Sequence, residues 1–340
     1  MAVTIYDVAR EAGVSKSTVS LVINNSPSVK LATQYKVREA IQKLGYVPNY
    51  SARTLTTKRT HTLGMIFLTS YPSKEPYSFD AVPETLLYDT SIGIQKGLHH
   101  TDYALLTERF SVQQTGLLPE LISAERVDGV FIIGGLFTAE FIDHLKSIKM
   151  PSVLVGRFHD GIDSVSPNMQ EIGYLAGKEF VQKGHKKILF INGPNGSANS
   201  QQKLEGLMSA LGGHHVSVTT KYSGYSALDG YKTIQEAWSA GERPDAIFGG
   251  SDGITSGIVR FLYENGIRVP EQVSLIGYER SVVSEHAAVP YTVIDPHKEK
   301  IGIEACRALL NRIQRPRSEI VALKISPSII HYGSVRDYNE

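Results

Sequence analysis

The chain has 340 residues, of which 41% are hydrophobic and 20% are charged, so its composition excludes a disordered or fibrous protein. No apolar run approaches the roughly 20 residues that a membrane-spanning helix needs. The single cysteine, Cys306, excludes an intramolecular disulfide. No leader segment is evident at the start of the chain, and we therefore expect a cytoplasmic protein without a membrane partner.

The formal net charge of +1 conceals an uneven distribution of charge along the chain. Residues 1–60 carry nine basic side chains against three acidic ones, whereas the remaining 280 residues carry 26 basic and 31 acidic side chains. A small basic segment on a mildly acidic body is typical of a protein that contacts phosphate through one end. A ribosome-associated or disordered arm has the same charge pattern, so charge alone does not separate these classes.

Three helices are predicted in the basic segment. Thr4 and Asp7 have the spacing of a helix cap, and the first helix ends at Gly13 because glycine adopts the left-handed conformation without steric cost. Ser15 is placed to cap a short second helix, and a third helix is expected to end at Gly45. A helix, a tight glycine turn, a short second helix and a third helix form the helix-turn-helix pattern.

Beyond residue 61 the pattern changes to short apolar strands that alternate with helices. Strands are predicted at 63–68, 103–106, 129–133, 153–155, 188–191, 246–248 and 273–276. Helices are predicted at 112–124, 169–184, 199–211, 226–240 and 251–266. Continuous apolar strands separated by helices indicate parallel sheets that are covered on both faces. More strands are predicted than a single sheet of this kind usually contains, which indicates two α/β lobes.

One sequence feature favours an enzyme. Residues 249–253 match the G-x-S-x-G pattern between a strand and a helix, which is the context of a hydrolase nucleophile, and Asp295 and His297 follow in the order acid, histidine. This acid and this histidine are only two residues apart, and no oxyanion loop of the hydrolase type is present. A serine hydrolase-like enzyme fused to a DNA-binding head is therefore the alternative interpretation, and no catalytic residue, metal site or cofactor is predicted.

Several segments closely resemble one known family. In the basic segment these are Thr4–Ala9, Ala12–Ser15, Thr18–Ser20, Val22–Asn24 and Leu44–Asn49, and in the body they include Lys183–Ile188, Arg243–Ile247 and Val273–Tyr278. They resemble the LacI/GalR (lactose-repressor) family of transcription regulators. The resemblance implies an N-terminal all-α helix-turn-helix headpiece and an α/β periplasmic-binding-protein-like core of two lobes.

The resemblance also implies the domain organisation. The expected parts are a headpiece at 1–48, a hinge helix and linker at 49–60, and an effector-binding and dimerisation core at 61–340. Within the core, lobe 1 is expected at about 61–165 and 295–326, and lobe 2 at about 166–294 and 327–340. A ligand cleft is expected at the carboxyl ends of the strands, the usual place in open α/β sheets.

DNA-binding residues follow from the same resemblance. Base contacts fall on Lys16, Ser17 and Leu21; Leu21 departs from the family, in which many members carry a polar or basic residue. The alternatives are that Leu21 packs under the headpiece and that Lys16 is a solvated charge. Leu55 is expected to act as an apolar wedge in the minor groove, or else to be a linker leucine that caps the core. The full predicted set is Thr4, Tyr6, Ser15, Lys16, Ser17, Thr18, Ser20, Leu21, Asn24, Tyr46, Asn49, Ser51, Ala52, Arg53 and Leu55.

The predicted effector site departs from that of sugar-binding members. The arginine of those members falls on Gln201, their asparagine on Ser251 and their aspartate on Glu279, while Tyr225 occupies the position of an aromatic that stacks on a sugar. The full predicted set is Tyr71, Arg109, Arg157, Gln201, Tyr225, Ser251 and Glu279. A small polar ligand, a sugar or sugar derivative, fits this set. The alternatives are that Gln201 and Ser251 are idle surface residues, that the core needs no effector, or that it binds a protein co-regulator.

The sequence therefore predicts a transcriptional repressor that binds double-stranded palindromic operator DNA as a homodimer. Only eight residues follow Tyr332 and they contain no leucine heptads, which favours a dimer over a tetramer. A nonspecific architectural DNA-binding protein is the third interpretation. Such a protein would not need a two-lobed body of 280 residues.

Overall fold

The computed structural model describes residues 3–23, 26–46, 59–69, 84–111, 118–134, 139–286 and 290–339. The chain divides into two compact units, Met1–Thr60 and His61–Glu340. Among the described residues, none of the helices combines the length and the apolarity that crossing a bilayer requires.

Three described helices form the smaller unit. They are α1 (Ile5–Ala12), α2 (Lys16–Ile23) and α3 (Leu31–Leu44). The backbone N–H and the hydroxyl of Thr4 donate to Asp7 Oδ2 at 3.0 and 2.7 Å, which closes the first turn of α1. Gly13 and Gly45 end α1 and α3 in the left-handed conformation, with φ of 65° and 60°. The predicted helix-turn-helix pattern is confirmed.

A small apolar core holds these helices together. Val8 of α1, Val19 and Val22 of α2, and Val37 and Ala40 of α3 are buried. Because each helix contributes only one face, the opposite face of α2 stays in contact with solvent.

The larger unit contains two six-stranded sheets in the described part of the chain. Sheet A consists of β1 (Thr62–Thr69), β2 (Ala104–Ser111), β3 (Gly129–Ile133), β4 (Ser152–Val155), β5 (Asp163–Pro167) and β11 (Ala322–Ile325). Sheet B consists of β6 (Lys187–Asn192), β7 (Ser217–Tyr222), β8 (Ala246–Gly249), β9 (Ser274–Tyr278), β10 (Thr292–Asp295) and β12 (Ser328–Ile330). The spatial orders are β11-β5-β4-β3-β1-β2 and β12-β10-β9-β8-β6-β7. All neighbouring strands are parallel except β10 and β12, which are antiparallel.

Helices cover both faces of each sheet. The described ones are α4 (Glu84–Leu98), α5 (Glu120–Ser123), α6 (Ala139–Ser147), α7 (Met169–Gln182), α8 (Ala198–Leu211), α9 (Ala227–Ser239), α10 (Asp252–Glu264), α11 (Val282–His286) and α12 (Lys298–Gln314). In sheet A, Phe131 and Ile132 belong to separate apolar clusters on opposite faces, and Phe190 and Leu189 do so in sheet B. The predicted fold class, a helical headpiece with a two-lobed α/β core, is confirmed.

The chain passes between the two sheets three times, at 167–169, 295–298 and 325–328. We call sheet A with its helices lobe 1, and sheet B with its helices lobe 2. Two of these crossings leave lobe 1 from neighbouring strands, β5 and β11. Arg312 of α12 braces both strands, because its guanidinium donates to the two carboxylate oxygens of buried Asp163 at 2.7 and 2.8 Å, and Asp163 also accepts the backbone N–H of Val321.

Several elements differ from the sequence-based expectation. Strands β5, β7, β10, β11 and β12 and helices α4, α6, α11 and α12 were not predicted. The strands are short or rich in polar residues, so they lack the continuous apolar run on which the prediction relied. The helix expected at 112–124 is described only as α5, since residues 112–117 lie outside the described part of the chain.

Helices α4 and α12 of lobe 1 approach each other unusually closely. A Cβ added to Gly93 of α4 would lie only 2.1 Å from the carbonyl oxygen of Glu299, and one added to Gly302 of α12 would lie 2.3 Å from that of Thr90. The contacting atoms belong to the backbone and cannot rotate away. Glycine at these two positions therefore sets the distance between the helices.

We expect Gly93→Ala to destabilise the protein by about 1–3 kcal/mol, the usual cost of forcing extra atoms into a packed interior. The gain in helix propensity from alanine, at most about 1 kcal/mol, opposes this cost. Chemical denaturation measures the difference. The matched control is Gly212→Ala, where the added Cβ meets only the Ser209 carbonyl oxygen at 3.4 Å. Equal stabilities of the two variants would contradict the close approach.

Candidate nucleic-acid interface and ligand cleft

The exposed face of α2 begins with a hydrogen-bonded serine cap. The Ser15 hydroxyl accepts the backbone N–H of Thr18 at 3.1 Å and lies 2.8 Å from the hydroxyls of both Ser17 and Thr18. Lys16 and Ser17 in the first turn are exposed. Leu21, one turn further, is 43% exposed, so it does not pack under the headpiece as the alternative interpretation supposed. This face presents polar groups and one apolar side chain to solvent.

Lys16 is held by a neighbouring aromatic side chain. Its Nζ lies 5.0 Å from the ring centroid of Tyr6 and donates to the Tyr6 hydroxyl at 3.4 Å. Tyr6 itself is 60% exposed on α1. A cation over an aromatic face is attracted by the ring, so this contact restricts the rotamers of Lys16 in the free protein.

The other predicted DNA-binding residues of the headpiece have mixed environments. Thr4 caps α1, Thr18 and Ser20 are half-buried, and Tyr46 packs against the apolar core. The remaining predicted residues lie outside the described part of the chain; they are Asn24, Asn49, Ser51, Ala52, Arg53 and Leu55.

Acidic side chains of the headpiece are engaged locally. Glu11 forms an ion pair with Lys43 at 2.5 Å, and Asp7 lies 3.6 Å from Arg10. The hydrogen bonds from Thr4, together with Arg10, lower the pKa of Asp7. These two acidic side chains are therefore paired with basic side chains inside the headpiece.

The second candidate site lies at the carboxyl ends of the strands in the core. Arg157 follows β4, Tyr225 follows β7, Ser251 follows β8 and Glu279 follows β9. In sheet B the chain turns to opposite sides after β6, since β7 and β8 both flank that strand. Ligands of open parallel sheets bind at such a switch point, beyond the carboxyl ends of the strands.

Two predicted residues from different lobes lie within electrostatic range of each other at this cleft. Arg157 of lobe 1 interacts electrostatically with Tyr225 of lobe 2; burial lowers the pKa of Arg157 and Tyr225 counteracts this shift. The Tyr225 hydroxyl lies 3.4 Å from that of Ser197, which precedes α8. Asn199 also donates to the Gly156 carbonyl at 3.5 Å, so polar contacts join the lobes here.

Glu279 is the most constrained of the predicted cleft residues. Its backbone is left-handed with φ of 81°, and its N–H donates to the Ile294 carbonyl at 3.0 Å. Its side chain is 6% exposed, and Oε2 accepts a hydrogen bond from Lys298 at 3.4 Å. A buried carboxylate with a cation beside it is an acceptor suited to hydroxyl donors.

Lys203 was missed by the sequence analysis. This lysine of α8 is 2% exposed; its ammonium donates to the Gly250 carbonyl and lies 4.8 Å from the ring centroid of Tyr278. Burial lowers the pKa of Lys203 to about 8, with the attraction of Glu279 acting in the opposite direction. The signal available in the sequence was a basic residue two positions after Gln201 in the same helix.

Two described members of the predicted effector set are not gathered into this cleft. Gln201 is exposed on α8 and its amide donates to Glu205 at 3.0 Å along the helix surface, so the buried polar side chain of this helix is Lys203 and not Gln201. Arg109 is exposed on the edge strand β2. Tyr71 lies outside the described residues.

Ser251 serves as a helix cap. It is 3% exposed, and its hydroxyl accepts the Ile254 backbone N–H at 3.2 Å at the start of α10. Its neighbour Asp252 accepts a hydrogen bond from Ser281 at 2.7 Å. Burial raises the pKa of Asp252 to about 6. The G-x-S-x-G match thus has a structural explanation, a capped helix at the cleft wall.

Within the described residues, no group of three or more His, Cys, Asp or Glu side chains could hold a metal ion.

Comparisons with known proteins agree with this arrangement. Residues 4–49 match the family described as bacterial regulatory proteins, lacI family, and residues 177–335 match the periplasmic binding protein-like domain. The HTH-type transcriptional repressor PurR of Mannheimia succiniciproducens is 30% identical over 342 residues, which cover 98% of both chains. The chain belongs to the LacI family. Another relative, named probable HTH-type transcriptional repressor ExuR, from Bacillus subtilis, is 29% identical over 340 residues, 98% of both chains.

Solved structures of LacI-family regulators share the fold. The lac repressor dimer bound to operator and the anti-inducer ONPF has a TM-score of 0.79 at 23% identity, with 99% of this chain and 100% of that chain covered. The complex of the transcriptional regulator CelR with cellobiose has a TM-score of 0.70 at 26% identity, with 98% and 99% covered. The chain is therefore a LacI-family transcriptional repressor, and its relatives are regulators and not enzymes.

The lowered pKa of Lys203 predicts a pH-dependent stability. Above pH 8 the folded protein releases this proton, whereas the unfolded chain keeps it up to the ordinary value of 10.5. Because the unfolded state then binds more protons, the free energy of unfolding rises with pH in this window. We expect the wild type to gain stability relative to Lys203→Met between pH 7 and about 10.

Denaturant titrations of both proteins across this pH range measure the difference. The exposed Lys178→Met on α7 is the matched control, and its difference from the wild type should not change with pH. A pH-independent difference for Lys203→Met would mean that this ammonium is not buried in solution.

Proposed function

We propose that this repressor binds a palindromic operator as a homodimer and that a small polar ligand in the cleft controls its affinity for DNA. The observation that carries the proposal is the exposed face of α2, whose first turn is capped by Ser15 and presents Lys16 and Ser17 to solvent. A recognition helix reads bases in the major groove with its N-terminal residues.

We assign the recognition of the base sequence to three side chains of α2. Lys16 is restrained by Tyr6 and can donate to a guanine edge. Ser17 is exposed beside it, and Leu21 can contact a thymine methyl group because nearly half of its side chain is exposed. The headpiece is assigned to 1–48, the hinge to 49–60 and the core to 61–340, with Leu55 of the hinge as the apolar wedge in the central minor groove.

The proposed dimer matches the symmetry of the proposed operator. A palindromic operator presents two identical half-sites, and a protein that is two-fold symmetric contacts both in the same way. The structural neighbour described as the lac repressor dimer bound to operator supports the same arrangement for this chain.

The ligand is assigned to the cleft at the carboxyl ends of the strands. Arg157 and Tyr225 approach from opposite lobes, while Glu279 and Lys203 supply a buried acceptor and a buried cation. Charged groups of both signs with an aromatic ring suit a ligand that has several hydroxyl groups, such as a sugar or sugar derivative. Neighbours with bound cellobiose and ribose support this ligand class.

Selection of bound sequences from a random DNA pool tests the proposal, with the full-length protein alone and with a panel of sugars and sugar phosphates. We expect a palindrome with a central pyrimidine–purine step, since such steps unstack easily. A compound that changes the recovery identifies the ligand class. Absence of any enriched sequence under every condition would contradict the proposed function.

For Lys16→Ala we expect a relaxed preference at one base position in each half-site, worth about 1–3 kcal/mol, because a directed contact to a base edge is lost. The selection repeated with the variant reports this directly. Lys36→Ala on α3 removes another exposed lysine and should leave the base preferences unchanged. If Lys16→Ala keeps the base preferences of the wild type, Lys16 contacts phosphate and not a base edge.

A further inference from the structure

A buried ammonium joins the two lobes beside the ligand cleft. Lys298 is the first residue of α12, directly after the second crossing between the lobes, and its side chain is 2% exposed. Its Nζ lies 3.1 Å from Asp89 Oδ2 on α4 and 3.4 Å from Glu279 Oε2 after β9. Asp89 and Lys298 belong to lobe 1 and Glu279 to lobe 2, so the ammonium is shared between the lobes.

The lobe 1 side of this contact is rigid. Asp89 and Lys298 stand on α4 and α12, whose backbones touch at Gly93 and Gly302 with no space for a methyl group. The two helices therefore cannot slide past each other without losing this packing. Asp89 and Lys298 consequently move as one body.

The lobe 2 side is fixed by the backbone. Glu279 is left-handed, and its N–H is bonded to Ile294 of β10, so the start of its side chain cannot adjust freely. The distance between Glu279 and Lys298 therefore depends on the relative placement of the two lobes. A change in that placement must either stretch this contact or move a strained backbone.

The electrostatic environment keeps Lys298 charged. Burial lowers its pKa, but the attraction of Glu279 and Asp89 outweighs burial, and the pKa of Lys298 is raised overall. Asp252 adds negative charge to the same environment, and Lys203 attracts Glu279 from lobe 2. Loss of the Lys298 charge would leave Glu279 buried without its lobe 1 partner, which is costly for a carboxylate away from water.

We propose that Lys298 is a positioning residue that holds the Glu279 carboxylate at the ligand cleft and, through Asp89, ties its location to lobe 1. This inference rests on the proposed effector role of the cleft. A ligand hydroxyl that donates to Glu279 binds a carboxylate whose place depends on lobe 1. Ligand binding therefore favours the arrangement of the lobes in which Lys298 reaches both acids, because a ligand stabilises the state to which it binds better.

Distance measurements between the lobes test the proposal without any ligand. Nitroxide labels are attached to cysteines at Glu140→Cys on α6 of lobe 1 and Glu236→Cys on α9 of lobe 2, both exposed positions. The native Cys306 is buried and burial raises its thiol pKa to about 11, so it should not react with the label. Double electron–electron resonance on labelled protein diluted with an excess of unlabelled protein then gives the distribution of distances between the lobes of one chain.

We expect Lys298→Met to broaden the distribution, and Lys298→Arg to restore the narrow one because it returns the charge. Lys300→Met removes an exposed lysine of the same helix and should match the unsubstituted protein. An unchanged distribution in Lys298→Met, or equal broadening in Lys300→Met, would overturn the proposal.

Asp89→Asn provides a second variant in case Lys298→Met does not fold. It removes the charge that holds the Lys298 ammonium from the half-exposed lobe 1 side, which loosens the Lys298–Glu279 contact indirectly, and a smaller broadening is expected. An unchanged distribution in this variant would also count against the proposal. Selection of operator sequences with the same proteins tests the proposed function separately. If the variants still enrich the operator but the distances between the lobes do not change in Lys298→Met, only this inference is disproved.

Discussion

Charges removed from water between the two lobes require partners of opposite sign, because an isolated buried ion costs several kcal/mol. Glu279 is such a charge, and the surrounding structure is organised around it. Lys298 approaches it from lobe 1 and Lys203 attracts it from lobe 2. Lys298 in turn reaches Asp89, so acids and bases alternate across the junction. The cleft therefore presents charged groups that their partners already orient.

The headpiece follows a different physical principle. Its core is small, and its stability depends on local devices such as the Thr4–Asp7 cap and the left-handed glycines at Gly13 and Gly45. Its function depends on exposed groups that solvent screens, so attraction to phosphate should weaken with salt, whereas contacts to base edges depend on geometry. The Lys16–Tyr6 contact restricts a side chain to which we assign a base contact, so that proposed contact would depend on geometry.

Local signals in the sequence predicted local structure well. The cap at Ser15 and the glycine ends of α1 and α3 follow from steric and hydrogen-bonding rules that act within a few residues. The residues of the cleft were harder to predict from the sequence. Gln201 and Lys203 lie in one helix, and the sequence does not tell which of its faces meets the loops after the strands. The partners of Lys298 are distant in sequence, so no spacing rule reveals them. The roles of the site residues remain predictions.

Three chain crossings stand side by side along one margin of the core. Strands β5 and β11 are neighbours in lobe 1, β10 and β12 are neighbours in lobe 2, and the last crossing passes directly from β11 to β12. Three chain crossings in a row allow rotation of the lobes about the line that joins the crossings, and they resist twisting of the lobes about other axes. We therefore expect relative motion of the lobes to be mainly a hinge rotation about this line. A change in the angle between the lobes would displace each point of a lobe by an amount proportional to its distance from the crossings.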